Sequence, residues 1–297
     1  MTDYVSRYSR DGNIFIAKKF QGFPEIKEAL IANRMQAGFM VAPMAIALRS
    51  QGVPIKIVYL GHRYGSAVVV KDDGPVRSVP DLVGRTIAIP SRFSDEHLIL
   101  LRALQVHGID KSRVRLVEMP PPDVAGALAV DAIDGFSMGE PFPSQAEMGG
   151  FGRVLFHARE YWPDYMSCVV VVRQDAIDRR PQAVQTLVDG IARSGLWLDD
   201  EERAPQHRDH AADFVGRFYF NQPPDLLRWA LLRDLDRVTY SELEPRRADF
   251  ELVRDLMLEN GLLDRPIEFE EYVDTRFARG AMGQTSWRYE PGSRRAE

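Results

Sequence analysis

Two short segments early in the chain bring hydrogen-bond donors to places where a predicted strand ends. In the first, Met40–Met44, the strand passes into a helix, and the first N–H groups of a helix have no partner within it. Ala42, Pro43 and Met44 are therefore candidates for contact with a small anion through the backbone, although Pro43 has no N–H to donate. An ordinary turn between a strand and a helix explains the same residues without a ligand.

The second segment, His62–Ser66, combines an imidazole, a guanidinium, a phenol, a glycine and a hydroxyl. Arg63 suits a planar oxyanion such as nitrate, a carboxylate or a sulfonate, because its guanidinium donates two parallel hydrogen bonds. Gly65 would let a solute approach the backbone closely, and Ser66 would offer its hydroxyl. A solvated loop is the alternative interpretation.

A third segment, Pro90–His97, follows another predicted strand and opens a helix. Ser91 and Arg92 could face a bound solute from this position. The acids Asp95 and Glu96 suit the first turn of the helix, where negative charge interacts favourably with the helix dipole. We expect these two acids to serve the helix and not to take part in catalysis.

The fourth segment, Gly135–Phe142, ends a strand with Gly139 and Glu140. Glu140 precedes a proline, which favours an extended backbone. Its carboxylate could accept a donor from the solute or pair with an arginine across a cleft, and a structural ion pair is the alternative. Ligands of open α/β sheets bind outside the carboxyl ends of the strands, so all four segments are predicted to line one cleft.

The sequence carries no recognised catalytic or metal-binding motif. A G-x-S-x-G turn, an H-E-x-x-H helix, a P-loop and a G-x-G-x-x-G following a strand are all absent. The single cysteine, Cys168, lies in the apolar run CVVVV and is interpreted as a buried small hydrophobe. His207 and His210 stand apart from further metal-binding residues. We therefore predict a non-catalytic protein without a metal or a cofactor.

The charge balance excludes some classes of partner. The 297 residues carry a formal net charge of −5 with a sequence pI near 5.8, which gives no basic footprint for nucleic acid. A local site can still bind an anion against such a small overall charge. The sequence has no run of about 18 apolar residues that could span a membrane. The N-terminal segment lacks the apolar core and the cleavage site of a signal peptide.

Strands and helices alternate through the first 175 residues. NIFIAKKF (13–20) is predicted to be the first strand, and GFPEIKEALIANRM the helix that follows it. Such alternation is typical of a parallel sheet with helices on both faces. Helices alone are predicted from residue 181 onward, with no strand after Asp175. The polar tail, 281–297, is predicted to be disordered.

Four segments resemble the substrate-binding proteins of the nitrate/sulfonate/bicarbonate (NitT/TauT-type) family of ABC importers. They are GFPEIKEALIANRMQAGFMVAPMAIALRSQGVPIKIV, SVPDLVGRTIAIPSRFSDEHLILLRAL, EMPPPDVAGALAVDAIDGFSMGEPF and RRPQAVQTLVDGIARSGLWLDD. The resemblance implies the type II periplasmic-binding fold, in which two α/β lobes are joined by a two-stranded hinge and the C-terminal part is helical. Lobe 1 would comprise residues 1–70 and 173–280, and lobe 2 residues 71–172. The valine runs at 67–70 and 168–172 would then form the hinge, with the C-terminal helices packed back on lobe 1.

The resemblance also implies a function, which is solute binding for an ABC importer. A small anion such as nitrate, bicarbonate, a sulfonate or a related organic acid would bind in the cleft between the lobes as the hinge closes. The partners would be the permease and its ATPase, with no nucleic acid and no contact with the membrane except through the permease. The location would be periplasmic or otherwise exported, or cytoplasmic if the start of the chain is genuine.

Two departures from the family pattern stand out. Ser137 and Phe142 occupy positions where the nitrate- and bicarbonate-binding branch often has Cys and Trp, which argues against nitrate itself. The family's first strand and helix have no counterpart before Asn13, so we expect a mis-assigned start or a truncation, which would expose a sheet edge. A cytoplasmic solute sensor of the same fold is the alternative. A thiamine-pyrimidine-synthase-like enzyme is less favoured, because the cysteine-rich motif of that group is missing.

Overall fold

A computed structural model of the chain describes residues 15–219 and 222–282. The strands are β1 Ala37–Val41, β2 Ile55–Leu60, β3 Arg63–Tyr64, β4 Ser66–Lys71, β5 Thr86–Ile89, β6 Arg115–Glu118, β7 Gly135–Gly139, β8 Gly152–His157, β9 Cys168–Arg173 and β10 Val238–Thr239. The helices are α1 Phe23–Ile31, α2 Ala42–Ser50, α3 Asp95–Val106, α4 Val124–Ala129, α5 Phe142–Met148, α6 Ala158–Tyr161, α7 Gln174–Arg179, α8 Pro181–Leu198, α9 Ala204–Phe218, α10 Pro224–Leu232, α11 Arg247–Glu259, α12 Phe269–Tyr272 and α13 Arg276–Met282. Short 3₁₀ turns lie at Val79–Leu82, Lys111–Arg113 and Pro121–Asp123.

The first sheet has the order β1–β9–β2, with β9 antiparallel to both neighbours. Met40 of β1 and Leu60 of β2 both pair with Val169 of β9, so the two outer strands run in the same direction. The valines of β9 are buried because the strand lies in the middle of the sheet. Helices α2 and α3 follow β1 and β5, respectively, and both begin at the carboxyl end of a strand.

The second sheet has the order β6–β5–β7–β4–β8. Strands β6, β5 and β7 are parallel, as the alternation of strands and helices predicts. The prediction of a parallel sheet is wrong at β4, which runs opposite to the other four strands and pairs antiparallel with both β7 and β8. Strand β4 enters this sheet directly from the connection to the first sheet, without a helix that would reverse its direction.

The connection between the sheets consists of two antiparallel segments, residues 61–65 and 165–167, the second of which leads into β9 at Cys168. The N–H of Gly61 donates to the carbonyl of Cys168 at 2.6 Å, and the N–H of Tyr64 donates to the carbonyl of Tyr165 at 3.1 Å. The fold therefore contains the expected two-stranded hinge. The valine runs themselves do not cross, however, since β4 pairs only within the second sheet and β9 only within the first.

An apolar core joins the first sheet to the C-terminal helices. Ile46 of α2, Val170 of β9 and Phe250 of α11 belong to one buried cluster, as predicted for helices that pack back on the first lobe. Leu98 and Ile99 of α3 belong to the same cluster, so this helix of the second half is anchored against the first. Two smaller clusters cover the faces of the second sheet.

The structure differs from the sequence-based predictions near the start of the described residues and in the helical half. Residues 15–20 form no strand, because no neighbouring strand pairs with them and Ile16 is 78% exposed; residues 13–14 lie outside the described part. The prediction of no strand after Asp175 is wrong, because β10 pairs with β3. The pairing extends over two residues, and so short a strand leaves no pattern in the sequence. Residues 281–282 end α13, and 283–297 lie outside the described residues.

Candidate functional site

The starts of α2 and α3 meet between the two sheets. The N–H of Ala42, the first residue of α2, donates to Oδ2 of Asp95, the first residue of α3, at 3.2 Å. Ser94 caps α3, because its Oγ accepts the N–H of His97 at 3.1 Å. The cap fixes Asp95 and Glu96 in the first helical turn, next to the start of α2.

Asp95 and Glu96, called the carboxylate pair below, are buried. Their exposed fractions are 0% and 3%, which is unusual for acids in the first turn of a helix. The burial follows from the packing of α3, since Leu98 and Ile99 insert into the core of the first sheet. The helix that supplies the pair is therefore held by both halves of the molecule.

A chain of hydroxyl groups leads to Glu96. The hydroxyl of Tyr165 donates to Oγ of Ser66 at 3.1 Å, and Oγ of Ser66 donates to Oε1 of Glu96 at 3.1 Å. The hydroxyl of Ser137 donates to the backbone carbonyl of Glu96 at 2.8 Å. Each donor comes from a different segment: the second hinge strand, the start of β4 and the middle of β7.

The hydroxyl of Ser94 also hydrogen-bonds the Glu96 carboxylate and acts to lower its pKa. One oxygen of each acid nevertheless has no partner within the described residues. Oδ1 of Asp95 and Oε2 of Glu96 are buried and accept no hydrogen bond within the described residues. Gly139, which is half-buried, lies near the other oxygen of Glu96: a methyl group at this position would be 3.5 Å from both Oε1 of Glu96 and Oγ of Ser66. A methyl group would thus be in ordinary van der Waals contact with the oxygens of Glu96 and Ser66.

Burial changes the acidity of this cluster. It raises the pKa of Asp95 well above the usual range, and the neighbouring charge of Glu96 adds to the effect. Burial likewise raises the pKa of Glu96. The pKa values of Tyr165 and Cys168 are raised by burial first and then by the two carboxylates. The phenol and the thiol therefore remain protonated at neutral pH.

The structure brings three of the predicted site residues to the carboxylate pair, namely Ala42, Ser66 and Gly139. Pro43 and Met44 continue the first turn of α2 and are buried, with Met44 in the apolar core of the first sheet. The N–H of Ala42 is already bonded to Asp95, so this helix start does not present that donor to an anion.

Arg63 and Gly65 serve the hinge. Each guanidinium nitrogen of Arg63 donates a hydrogen bond, to the carbonyls of Glu242 and Asp164 and to Oδ2 of Asp249 at 2.8 Å. Gly65 has a φ of +84°, a left-handed conformation that favours glycine, and its carbonyl accepts the N–H of Glu140 at 2.7 Å. We leave both residues out of the proposed solute site because their polar groups are committed within the protein.

Ser91 and Arg92 lie at the edge of the cluster. Oγ of Ser91 accepts the N–H of Phe93 at 3.1 Å, which stabilises the turn before α3. The side chain of Arg92 is 70% exposed and points toward Glu118, whose Oε1 accepts the N–H of Arg92 at 2.7 Å. Neither side chain contacts the carboxylate pair.

Glu140 forms the structural ion pair that the sequence left as an alternative. Its Oε1 pairs with Nε of Arg237, and its Oε2 accepts the N–H of Ser144 at 3.2 Å. Arg237 also donates to Glu147 at 2.8 Å, so it links α5 and the start of that helix to the C-terminal part. This network ties the second sheet to the segment that precedes β10.

Sequence reasoning missed the residues at the centre of the site. Two acids that follow a capping serine are common at an exposed helix start, where they interact with the helix dipole. Their type and spacing therefore do not indicate that they are buried. Tyr165 lies in the hinge strand before β9 and has no motif around it. Among the described residues, no three His, Cys, Asp or Glu side chains converge as a metal site.

The profile of the NMT1-like family matches residues 4–216, which is well over half of the chain. The chain belongs to the NMT1-like family. Membership agrees with the two-sheet architecture and with the resemblance that the four sequence segments show. None of the described helices combines the length and the apolar character needed to cross a bilayer.

Curated relatives match shorter stretches. A nitrate/nitrite binding protein, NrtA of Nostoc, is 31% identical over 108 residues, covering 36% of this chain and 24% of its own length. A bicarbonate-binding protein, CmpA of Synechococcus elongatus, is 26% identical over 122 residues, or 41% of this chain and 26% of its own length. A riboflavin-binding protein, RibY of Chloroflexus aurantiacus, is 36% identical over 96 residues, covering 31% of this chain and 27% of its own length. The chain thus spans about a quarter of the length of these relatives.

Solved structures match nearly the whole chain. The ligand-binding component of an ABC-type import system from Staphylococcus aureus superposes with a TM-score of 0.83 at 23% identity, covering 94% of this chain and 92% of its own. The periplasmic nitrate-binding protein NrtA of Synechocystis gives 0.80 at 15% identity, covering 95% and 83%. The desulfurization enzyme DSZB gives 0.61 at 16% identity, covering 84% and 85%. At these identities the matches establish the fold, which is that of the periplasmic binding proteins.

Proposed function

We propose that this chain is the solute-binding component of an ABC-type importer and that it holds a small solute between its two halves. The observation that carries the proposal is the buried polar cluster around the carboxylate pair. Its members come from the starts of two helices on opposite sheets, from the hinge and from β7. A cluster that is assembled from both halves exists only when the halves are closed, and a solute bound there would stabilise the closed state.

The boundaries of the lobes follow from sheet pairing in this proposal. The first lobe would comprise the residues up to 60 and from 168 onward, and the second lobe would comprise residues 66–164. The intervening segments, 61–65 and 165–167, would form the hinge. These limits lie about five to ten residues before those that the resemblance implies, because the hinge precedes the valine strands β4 and β9 and does not include them.

The partners and the location in this proposal follow from the relatives. The Staphylococcus aureus protein is a component of an ABC-type import system, and NrtA of Synechocystis is periplasmic. We therefore expect a membrane permease and its ATPase as partners and an exported location. Nitrate, bicarbonate and riboflavin are the solutes named for the curated relatives, which spans anions and a neutral heterocycle.

Binding without catalysis is the second element of the proposal. Cys168 would be the obvious nucleophile of an enzyme, but burial and the nearby carboxylates raise the pKa of its thiol. The structural match to DSZB makes sulfinate cleavage the reaction to test. Incubation with biphenyl-2-sulfinic acid, the ligand of a solved DSZB complex, should release no sulfite; turnover would contradict this part of the proposal.

Thermal unfolding of the full chain in the presence of single solutes tests the proposal. Nitrate, bicarbonate, alkanesulfonates, carboxylates and small amines would be compared, and at least one should raise the melting temperature in a saturable manner. Small-angle scattering with that solute should show a smaller radius of gyration, because the hinge closes. If a folded preparation responds to no member of the panel by either measurement, solute binding is the wrong function.

A further inference from the structure

We propose that the carboxylate pair recognises a nitrogen group with N–H bonds, such as an ammonium or amidinium, on the solute. This inference rests on the proposed solute-binding function and specifies the class of solute. It concerns the centre of the site, where Oδ1 of Asp95 and Oε2 of Glu96 lack partners within the described residues. Two neighbouring buried acceptors without donors are costly in a folded protein, and a ligand that supplies the donors removes that cost.

The direction of the hydrogen bonds at the site favours a donor over an anion. The N–H of Ala42 is bonded to Asp95, the hydroxyl of Tyr165 donates to Ser66, and the hydroxyl of Ser66 donates to Glu96. Each of these donors is already used within the cluster. When both acids are ionised, they can only accept further hydrogen bonds, which an oxyanion cannot satisfy.

The arginines that could attract an anion are occupied elsewhere. Arg63 pairs with Asp249 at 2.8 Å, and both side chains are buried. Arg237 pairs with Glu140 and with Glu147. The two arginines therefore support the hinge and the second half of the molecule, and their ion pairs are with acids other than Asp95 and Glu96.

One competing possibility is that the acids are protonated and donate to an anion. Substitution by the amides separates the two cases. Asp95→Asn and Glu96→Gln each preserve shape and provide an N–H donor while they remove the negative charge. A solute bound through its own N–H group should lose affinity in these variants, whereas an anion bound by a protonated acid should keep or gain it.

Calorimetric titration of the full chain at pH 7.5 in EDTA gives the test. The probes are two matched pairs, taurine against ethanesulfonate and benzylamine against benzoate, in which one member carries the amine. In at least one pair, we expect the amine to bind at least tenfold more tightly than its partner. Asp95→Asn and Glu96→Gln should weaken that binding at least tenfold, and the exposed Glu118→Gln serves as the matched control.

The outcomes distinguish this inference from the proposed function. The inference is overturned if nitrate, ethanesulfonate or benzoate binds at least as tightly as the amines and its affinity is unchanged in the amide variants. Solute binding as the function would then still stand. If no probe and no solute of the wider panel binds the folded chain, both fail. Melting temperatures of the unliganded variants at or above that of the parent would show that lost binding does not reflect misfolding. In a further titration, Ca²⁺ replaces EDTA. If Ca²⁺ displaces the amine from the parent and does not bind the amide variants, the site is one for a cationic ligand. If Ca²⁺ binds and no amine does, the inference is overturned.

Discussion

The backbone N–H of Ala42 donates a hydrogen bond of 3.2 Å to Oδ2 of Asp95, although the two residues are 53 positions apart in the chain. Each residue begins a helix, and the two helices follow strands of different sheets. Asp95 therefore places its charge at the positive ends of two helix dipoles, which helps a carboxylate to be buried there. Glu96 adds a second charge beside the first, and this makes the ionisation of the pair sensitive to its surroundings.

The first prediction concerns the pH dependence of stability. The pKa values of Asp95 and Glu96 are raised in the folded state, chiefly by burial. A carboxyl with a raised pKa binds more protons when folded, so its contribution to stability is present at low pH. That contribution is lost as the pH rises from the unfolded value of about 4 through the raised folded value. Tyr165 and Cys168, which face the pair, remain protonated across this range.

Urea unfolding of the unliganded chain between pH 4 and pH 8 measures this effect. The double variant Asp95→Asn, Glu96→Gln should lose less stability than the parent as the pH rises. Glu118→Gln, whose side chain is 52% exposed, is the control and should follow the parent. Equal slopes for the double variant and the parent would show that the carboxylate pair ionises as it does in the unfolded chain.

The second prediction concerns the hydroxyl chain. Tyr165→Phe removes the hydrogen bond to Ser66 from a fully buried site and should lower the free energy of unfolding by about 1 kcal/mol. The comparison is Tyr161→Phe, which loses a hydroxyl whose bond to His107 is exposed, and its effect should remain below about 0.5 kcal/mol. Urea unfolding at pH 7 gives both values, and equal losses would argue against a structural chain of hydroxyls at the site.

The third prediction assigns Arg63 to the hinge. Arg63→Met removes three hydrogen bonds and leaves the buried Asp249 with Arg246 as its remaining ion-pair partner among the described residues, so we expect a loss of about 3 kcal/mol in unfolding free energy. Solute affinity of the folded variant should stay within about twofold of the parent, since this side chain does not contact the carboxylate pair. Arg92→Met, at an exposed side chain, is the control for stability. A large loss of affinity with little loss of stability would instead place Arg63 in the solute site.

The sequence predicts the architecture well because periodicity and the strand-to-helix order are local signals. The alternation up to β9 and the helical half from α8 onward are both found. The direction of β4 and the position of the hinge are not predicted, because antiparallel pairing of β4 depends on how the chain crosses between sheets. The pairing of β10 with β3 involves two residues and likewise leaves no pattern.

The site is predicted less completely, because residue type does not determine burial. Ser66 and Gly139 were proposed because ligands of such sheets bind at strand ends, and both lie next to Glu96 of the carboxylate pair. Arg63 has the right chemistry for an anion, but its partners come from residues more than 100 positions away. Asp95 and Glu96 were assigned to the helix dipole, and their burial arises from the packing of Leu98 and Ile99 on the other half.

The fourth prediction concerns His62, whose Nδ1 is buried. Burial lowers the pKa of this imidazole to about 4, and the ring that faces it, Tyr240, stays neutral because its own pKa is raised to about 12. A histidine with a depressed pKa binds fewer protons when folded, so its contribution to stability is complete above the unfolded value of about 6.5. That contribution should be lost as the pH falls from about 6.5 toward 4, which is opposite in sign to the effect of the carboxylate pair. His62→Gln should reduce the loss of unfolding free energy between pH 6.5 and pH 4. His107→Gln, at an exposed histidine, is the matched control. Identical pH profiles for His62→Gln and the parent would show that the imidazole is hydrated and free to protonate.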